Sequence, residues 1–215
     1  DQVVVTSCRD REALERLADY HLASDAQPAP ITVVTNGVDL EYFRPLNSVP
    51  KAKDPTVVFT GKMSYHANVA AVLYFAKHVL PLVRAEVPRV RFQIVGKGPP
   101  QSVRRLETDR HIEVTGYVDD LRPYLAGATV AVCPALYAVG VQNKVLEAMA
   151  MGAPVVTTPS GCAALDVEDG REVLIAEGEG ELAEAVLKVL SDTVSARRLA
   201  EAGRRYVEDH HSWEA

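Results

Sequence analysis

The sequence is poor in the features that mark special classes of protein. Of its 215 residues only three are cysteine, Cys8, Cys133 and Cys162, and no two form a C-x-x-C pair. An odd, widely spaced set excludes a disulfide framework and gives no structural zinc site. Each cysteine is read as a small buried hydrophobe in a reducing compartment, and no metal site is expected. No stretch reaches the ~18 apolar residues of a membrane span. No signal-peptide pattern, internal repeat or low-complexity tract is present. Basic excess is missing as well: 23 Lys and Arg against 29 Asp and Glu give a net charge of -6. That removes the broad cationic footprint of a nucleic-acid-binding protein, so no nucleic-acid partner is expected. A local basic groove for a phosphorylated small molecule stays open, because net charge says little about one cleft. The remainder is an ordinary globular composition, 47% hydrophobic and 24% charged, long enough to bury a core without staples.

Short β-branched runs alternate with helical spacing. The strand candidates are Val3–Val5, Ile31–Val34, Val57–Phe59, Val90–Val95, Ile112–Val114, Val130–Val132, Val155–Val156 and a weaker run at Val173–Ile175. Several are nearly continuous apolar runs, the pattern of a strand covered on both faces. A polar helix is expected from about Arg9 to Leu22. Val69, Val72, Leu73, Ala76, Leu80 and Val83 follow three-and-four spacing, with Pro81 expected to end or kink that helix. Further helices are marked by Val145, Leu146, Met149 and Ala150, and by Leu182, Ala185, Val186, Val189 and Leu190. This alternation predicts βαβ units and an α/β fold with a parallel sheet. The Pro- and Lys-bearing stretch from Leu46 to Pro55, with Pro50, Lys51 and Lys53, reads as a linker beside a domain boundary.

Open parallel sheets bind ligands at the carboxyl ends of their strands. The exits to read are therefore Thr60-Gly61-Lys62, Gly96-Lys97-Gly98-Pro99, Thr115-Gly116-Tyr117, Pro134 to Gln142, and Thr157 to Gly161. Each holds glycine, which suits either a close backbone approach to ligand or a plain tight turn. Gly96-Lys97-Gly98 opens like a dinucleotide fingerprint, but Gln101 replaces its third glycine, so a dehydrogenase has little support. No exit carries the acidic residues of a phosphoacceptor domain. The most informative stretch runs from Gly140 through Val141, Gln142, Asn143, Lys144 and Glu147 to Gly152 and Pro154. A glycine turn opens a helix there, and free amides of a first helical turn bind phosphate. Lys144 adds a full charge. Glu147, further along that helix, is either an acceptor for sugar hydroxyls or a surface glutamate.

This stretch resembles the signature E-x-F-G-x-x-x-L-E-A-M-A-x-G-x-P-V-V of family 4 (group 1) glycosyltransferases of the GT-B fold. Asn36-Gly37-Val38-Asp39 with Phe43-Arg44-Pro45 resembles that family's hinge motif, and Ile94-Val95-Gly96-Lys97-Gly98-Pro99 its I-V-G-x-G-P. The resemblance runs from Val3 to about Trp213, and Gln142-Asn143-Lys144 is similar to a subgroup associated with bacterial exopolysaccharide. It implies a Rossmann-like doubly wound parallel sheet forming one half of a GT-B fold. On that reading residues 1–36 are the tail of an amino-terminal acceptor domain, 37–55 a linker, and 56–215 the donor-binding domain. The remaining amino-terminal domain, the catalytic base and a final return helix after Trp213 would lie outside this sequence, and the fragment alone would be inactive.

The resemblance implies roles for individual residues. Glu147 would hold ribose hydroxyls of a nucleotide sugar, and Gly61 and Lys62 would contact the diphosphate. Gly140, Val141, Gln142, Asn143 and Lys144 would face donor sugar and phosphates, and Gly96, Lys97, Gly98, Gly116, Tyr117 and Val118 would border the base. The donor would be a UDP- or GDP-sugar acting as substrate, with no cofactor, and the acceptor a saccharide or glycolipid of the cell envelope. Transfer would be retaining, in the cytoplasm or at the cytoplasmic face of the inner membrane. The first motif glutamate falls on Val139, which offers neither charge nor hydrogen bond. A non-catalytic nucleotide-binding module and a nucleotide-sugar epimerase on the same fold therefore stay as alternatives. Among histidines, His66 is either a cleft residue or a solvated loop residue, and His210 and His211 are expected to be exposed.

Overall fold

The computed structural model describes residues 2–21, 29–46, 49–50 and 52–213. Leu22, Pro28 and Lys51, named above, lie outside the described residues. The chain opens with a strand–helix–strand unit: β1 (Val3–Val5), α1 (Cys8–His21) and β2 (Ile31–Val33), with β1 and β2 paired in parallel. Cys8 begins α1 and is exposed, contrary to the expectation of burial; the two short strands shelter only one side of that helix.

The rest is built on a second sheet. In chain order it comprises β3 (Thr56–Thr60), α2 (His66–Tyr74), α3 (Leu80–Glu86), β4 (Arg91–Val95), α4 (Gln101–Arg104), β5 (Ile112–Gly116), α5 (Arg122–Gly127), β6 (Val130–Cys133), α6 (Asn143–Ala150), β7 (Val155–Thr157), α7 (Pro159–Cys162), β8 (Leu174–Ile175), α8 (Gly178–Ser191) and α9 (Thr193–His210). Its six strands are all parallel and lie in the order β5-β4-β3-β6-β7-β8. This is the doubly wound Rossmann order, and its direction reverses between β3 and β6. The crevice at that reversal is where the fold itself places a ligand.

The central strands show why the apolar runs are continuous. Every residue of β3, β6 and β7 is buried. Val57 and Phe59 point into one core with Phe75, Phe92 and Leu182; Val58 points into the other with Leu146, Met149 and Val207. The edge strand β5 alternates buried and half-buried residues instead.

Pro81 neither ends nor sharply stops its helix. A π-helical segment, Phe75–Val79, joins α2 to α3, and the helical path continues to Glu86. A proline ring clashes with the carbonyl four residues earlier and offers it no hydrogen bond. In the widened turn the Leu80 amide donates to the Phe75 carbonyl five residues earlier, while Phe75, Ala76 and Val79 stay buried.

The stretch from Val38 to Pro55, read as mostly linker, is anchored where it is described. Val38 is buried, and Leu40, Phe43, Leu46 and Val49 pack on the second core. The Arg122 guanidinium lies 3.9 Å over the Tyr42 ring. Arg204 of α9 donates to the carbonyls of Phe43 and Ala150, and the Ala52 amide donates to the Gly127 carbonyl. His211 is 5% exposed, a second departure from expectation. Its Nδ1 lies 2.7 Å from the Asn36 carbonyl, which can only accept, so Nδ1 carries the proton. Nε2 lies 3.1 Å from the Tyr206 hydroxyl, which itself accepts from the Asp166 amide. Two polar ring atoms are thereby satisfied, and burial costs little.

Phe92 is fully buried, with its ring centroid 4.8 Å from that of Phe75. Phe92→Ala is expected to cost about 3–5 kcal/mol. For a protein of this size, thermal unfolding followed by circular dichroism should show a midpoint roughly 6–20 °C lower.

Candidate functional site

The site grows from the strand exits on either side of the β3/β6 reversal. Gly61 follows β3 and Gly96 follows β4, and their backbones nearly touch. A Cβ on Gly96 would lie 1.8 Å from the Gly61 carbonyl oxygen, so no other residue fits there. The three exits are laced together: the Gly61 amide donates to the Val95 carbonyl (2.9 Å), Gly96 to Gly116 (3.2 Å) and Met63 to Lys97 (2.9 Å). Asn68 of α2 is buried and donates from Nδ2 to the Lys62 carbonyl at 2.9 Å, holding the first exit from beneath. The floor that results is backbone, flat and free of Cβ atoms.

From the other side comes α6. It starts at Asn143, so Gly140, Val141 and Gln142 form the loop leading into it, with Gly140 at φ +64°. The side chain of Gln142 caps none of the first-turn amides and instead donates to the Val139 carbonyl at 3.3 Å. The Val145 amide donates to the Gln142 carbonyl at 2.8 Å, which leaves the amides of Asn143 and Lys144 as those with no acceptor one turn earlier in the helix. Lys144 crosses the crevice towards Gly61: its Cε would lie 3.3 Å from a Cβ built there. Its ammonium donates to Gln142 Oε1 at 3.0 Å and stands 5.6 Å from the Phe59 ring centre.

Glu147 lies one turn beyond Asn143 on α6 and is half-buried. Its carboxyl makes no hydrogen bond among the described residues. Burial pushes its pKa up, and the Lys144 charge opposes this only in part. A half-buried carboxylate lacking donors is an acceptor in want of a ligand with hydroxyl groups.

The expected residues thus divide. Gly61, Gly96 and Gly116 are joined at the strand exits, Lys144 reaches Gly61 from α6, Asn143 and Glu147 lie on that same helix, and Gly140 and Gln142 lie in the loop ahead of it. Lys62 and Lys97 stand at its mouth as exposed side chains, and Gly98 packs beside Ser64. Val118 and Val141 lean on the second core, and Tyr117 projects into solvent at 70% exposure. Val139 is 82% exposed, so nothing at that position supplies a polar group to the crevice.

Several contacts between these segments were not legible in the sequence. Asn36 Nδ2 donates to Asn143 Oδ1 at 2.9 Å, tying the segment after β2 to the start of α6. Thr6, just past β1, has its Oγ1 3.4 Å from the Cβ position of Gly140. His66 Nδ1 lies 2.8 Å from the Tyr137 hydroxyl, with the two rings stacked at 5.6 Å, and so joins the α2 start to the loop after β6. Asn68 carried a signal, being one polar residue among the apolar positions of α2; the other contacts span distant segments and leave no periodic trace.

Among the described residues no cluster of three metal-binding side chains occurs, and no helix is long and apolar enough to cross a membrane. The family model of the glycosyl transferases of group 1 matches residues 54–192. The chain belongs to this family. It is 29% identical over 196 residues to a glycogen synthase of Mycobacterium tuberculosis, covering 86% of this chain and 46% of that protein. It superposes on sucrose-phosphate synthase from Thermosynechococcus elongatus with a TM-score of 0.80 at 22% identity, covering 100% of this chain and 55% of that one. It likewise superposes on HepE of Anabaena, solved with UDP and glucose, with a TM-score of 0.78 at 17% identity, covering 98% and 59%. The Rossmann-like sheet is therefore that of the GT-B glycosyltransferases. The chain spans about half the length of the curated relatives it matches.

The raised pKa of Glu147 fixes a sign. The folded glycosyltransferase chain holds this proton more tightly than the unfolded chain, so ionising Glu147 costs stability as pH rises above the ordinary carboxylate range. Glu147→Gln removes that cost and should raise the unfolding midpoint at pH 7 without ligand. The gain should shrink as pH falls towards ~4.3, the ordinary glutamate value, and be absent below it. Calorimetric scans of both proteins from pH 4 to pH 8 check it.

Proposed function

We propose that this chain is the donor-binding part of a glycosyltransferase that takes its sugar from a UDP- or GDP-sugar. The observation that carries the reading is the crevice at the β3/β6 reversal. There an uncapped helix start and a cation face a glycine floor, with a hydrogen-bond-poor carboxylate one turn further along α6. Each part answers one part of a nucleoside diphosphate sugar. The first-turn amides of α6 and Lys144 neutralise the diphosphate, the leaving group whose charge grows as the glycosidic bond breaks. Lys62 adds charge from the mouth. Glu147 accepts from paired ribose hydroxyls, and the Gly96–Gly98 and Gly116–Val118 turns border the base. The HepE structure with UDP and glucose supports a uridine nucleotide on this fold.

The acceptor is a cell-envelope polysaccharide or glycolipid held by an amino-terminal unit of which β1, α1 and β2 are the tail. That unit supplies the base, transfer retains the anomeric configuration, and the chain by itself does not turn over. Residues 37–55 then serve as the joint and 56–215 as the donor domain. The protein works in the cytoplasm or at the cytoplasmic face of the inner membrane.

Val139 favours one second reading, a nucleotide-binding module without catalysis, since an exposed valine stands where the motif has its first carboxylate. Transfer, or hydrolysis of a sugar nucleotide, by the chain joined to an acceptor unit would eliminate that reading.

Binding of the nucleotide is tested directly. UDP or GDP at ~100 times its Kd should stabilise the chain by about 2.7 kcal/mol, a midpoint rise of roughly 5–10 °C. Glu147→Ala should weaken that nucleotide by about 1.5–3 kcal/mol, roughly 10- to 150-fold in Kd by calorimetry. A flat melting response to both nucleotides at millimolar concentration refutes the proposal.

A further inference from the structure

A second groove lies at the other end of the sheet. All six strands of this sheet run the same way, so their amino ends share one edge, remote from the exits described above. The start of β8 with the residues just before it, the last turn of α8 and α9 from Ser195 to Arg205 meet there around a groove of about 440 Å³. That is the size of a small-ligand pocket.

Its lining is unusual for a chain of net charge -6. Arg171, Lys188, Arg198 and Arg205 rim it, Leu174 and Leu199 lie in its floor, and among the described lining residues none is acidic. The cations elsewhere on α9 are paired: Arg197 with Glu201 at 2.7 Å and Arg204 with Glu208 at 2.6 Å. Arg198 and Arg205, seven residues apart and so on one helix face, have no such pair, nor has Lys188. Arg171 is held by Glu172 at 3.0 Å. Glu168 reaches Arg171 as well, at 3.4 Å, and Asp192, near enough to Arg198 for their charges to attract, caps α9: it accepts from the amides of Val194 and Ser195 and from the Ser195 hydroxyl.

Lys188, Arg198 and Arg205, which form no direct ion pair among the described residues, repel one another, and an anion relieves the three together. A concave wall with three arginines suits a planar-forked, multi-oxygen anion better than a flat surface does. The apolar floor suits the carbon skeleton that carries it. We infer that this groove is a second ligand site, taking a phosphate monoester borne on a small, partly apolar molecule. Such a ligand would act at a distance from the donor crevice and independently of it. The inference goes beyond the proposed function and stands whether or not that reading does.

The test is calorimetric titration of the chain with phenyl phosphate, glycerol 3-phosphate and inorganic phosphate at low salt. The expected result is saturable binding at one site, with phenyl phosphate tighter than inorganic phosphate. The double variant Arg198→Ala, Arg205→Ala should weaken phenyl phosphate by about tenfold or more, and Lys188→Ala by less. All three side chains are exposed, so unfolding midpoints and the response to UDP should match those of the parent chain. Equal affinity in parent and double variant overturns the inference, as does no binding of any probe at millimolar concentration. Binding to phosphatidic acid vesicles alone, with none of the free phosphates, also overturns it, since the site would then be a membrane-facing surface.

Discussion

Two strands leave the main sheet with their backbones in contact, at Gly61 and Gly96, and the candidate site depends on that contact. A methyl group at Gly96 would collide with the Gly61 carbonyl. Without the contact the exits of β3, β4 and β5 could not be laced by main-chain hydrogen bonds into one floor. With it, the crevice at the strand-order reversal has a bare peptide surface on one side and a helix start on the other. Lys144 can then reach across to Gly61, because no side chain stands in its way. The electrostatics follow from this geometry: one cation and unsatisfied amides on the α6 side, and a carboxylate one turn deeper whose charge is poorly solvated.

The sheet was legible in the sequence because its signals are local. Strands buried on both faces must be apolar throughout, and glycine must follow where backbones converge, so Val57–Phe59, Val130–Val132 and the glycines after them could be read residue by residue. Family membership was legible too, from the Gly140–Pro154 stretch and the Asn36–Pro45 stretch together. Other features depend on partners far away in the chain. Nothing near His211 reveals that Asn36 and Tyr206 will bury it, so its charged neighbourhood pointed the wrong way. The π-helical turn ahead of Pro81 is likewise invisible to a periodicity of 3.6, which allows only an end or a kink. Cys8 misled for the converse reason: its composition suits a core, but it stands at the start of α1 with its side chain exposed. Residues 37–55 carry the prolines and lysines of a free connector, yet Leu40, Phe43, Leu46 and Val49 spend that freedom on core contacts.

The two ends of the main sheet divide the electrostatic work. The carboxyl ends use helix amides and few full charges, which keeps specificity in geometry. The amino ends beside α9 gather Arg198 and Arg205, whose neighbouring carboxylates Glu201 and Glu208 pair with Arg197 and Arg204 instead. A whole-chain charge of -6 conceals both, since each involves only a few residues within one patch.

The tie between Asn36, Val38 and the segment after α9 has one more consequence. Val38 bridges Ser212, the Val38 amide donates to the His211 carbonyl at 2.7 Å, and a Cβ on Gly37 would strike the Trp213 indole at 2.8 Å. The polypeptide therefore goes into the six-stranded unit and comes out of it at a single seam. A change at that seam therefore reaches both flanks of the six-stranded unit at once: a side chain at Gly37 would displace Trp213, and a shift of Val38 would release the backbone that holds His211.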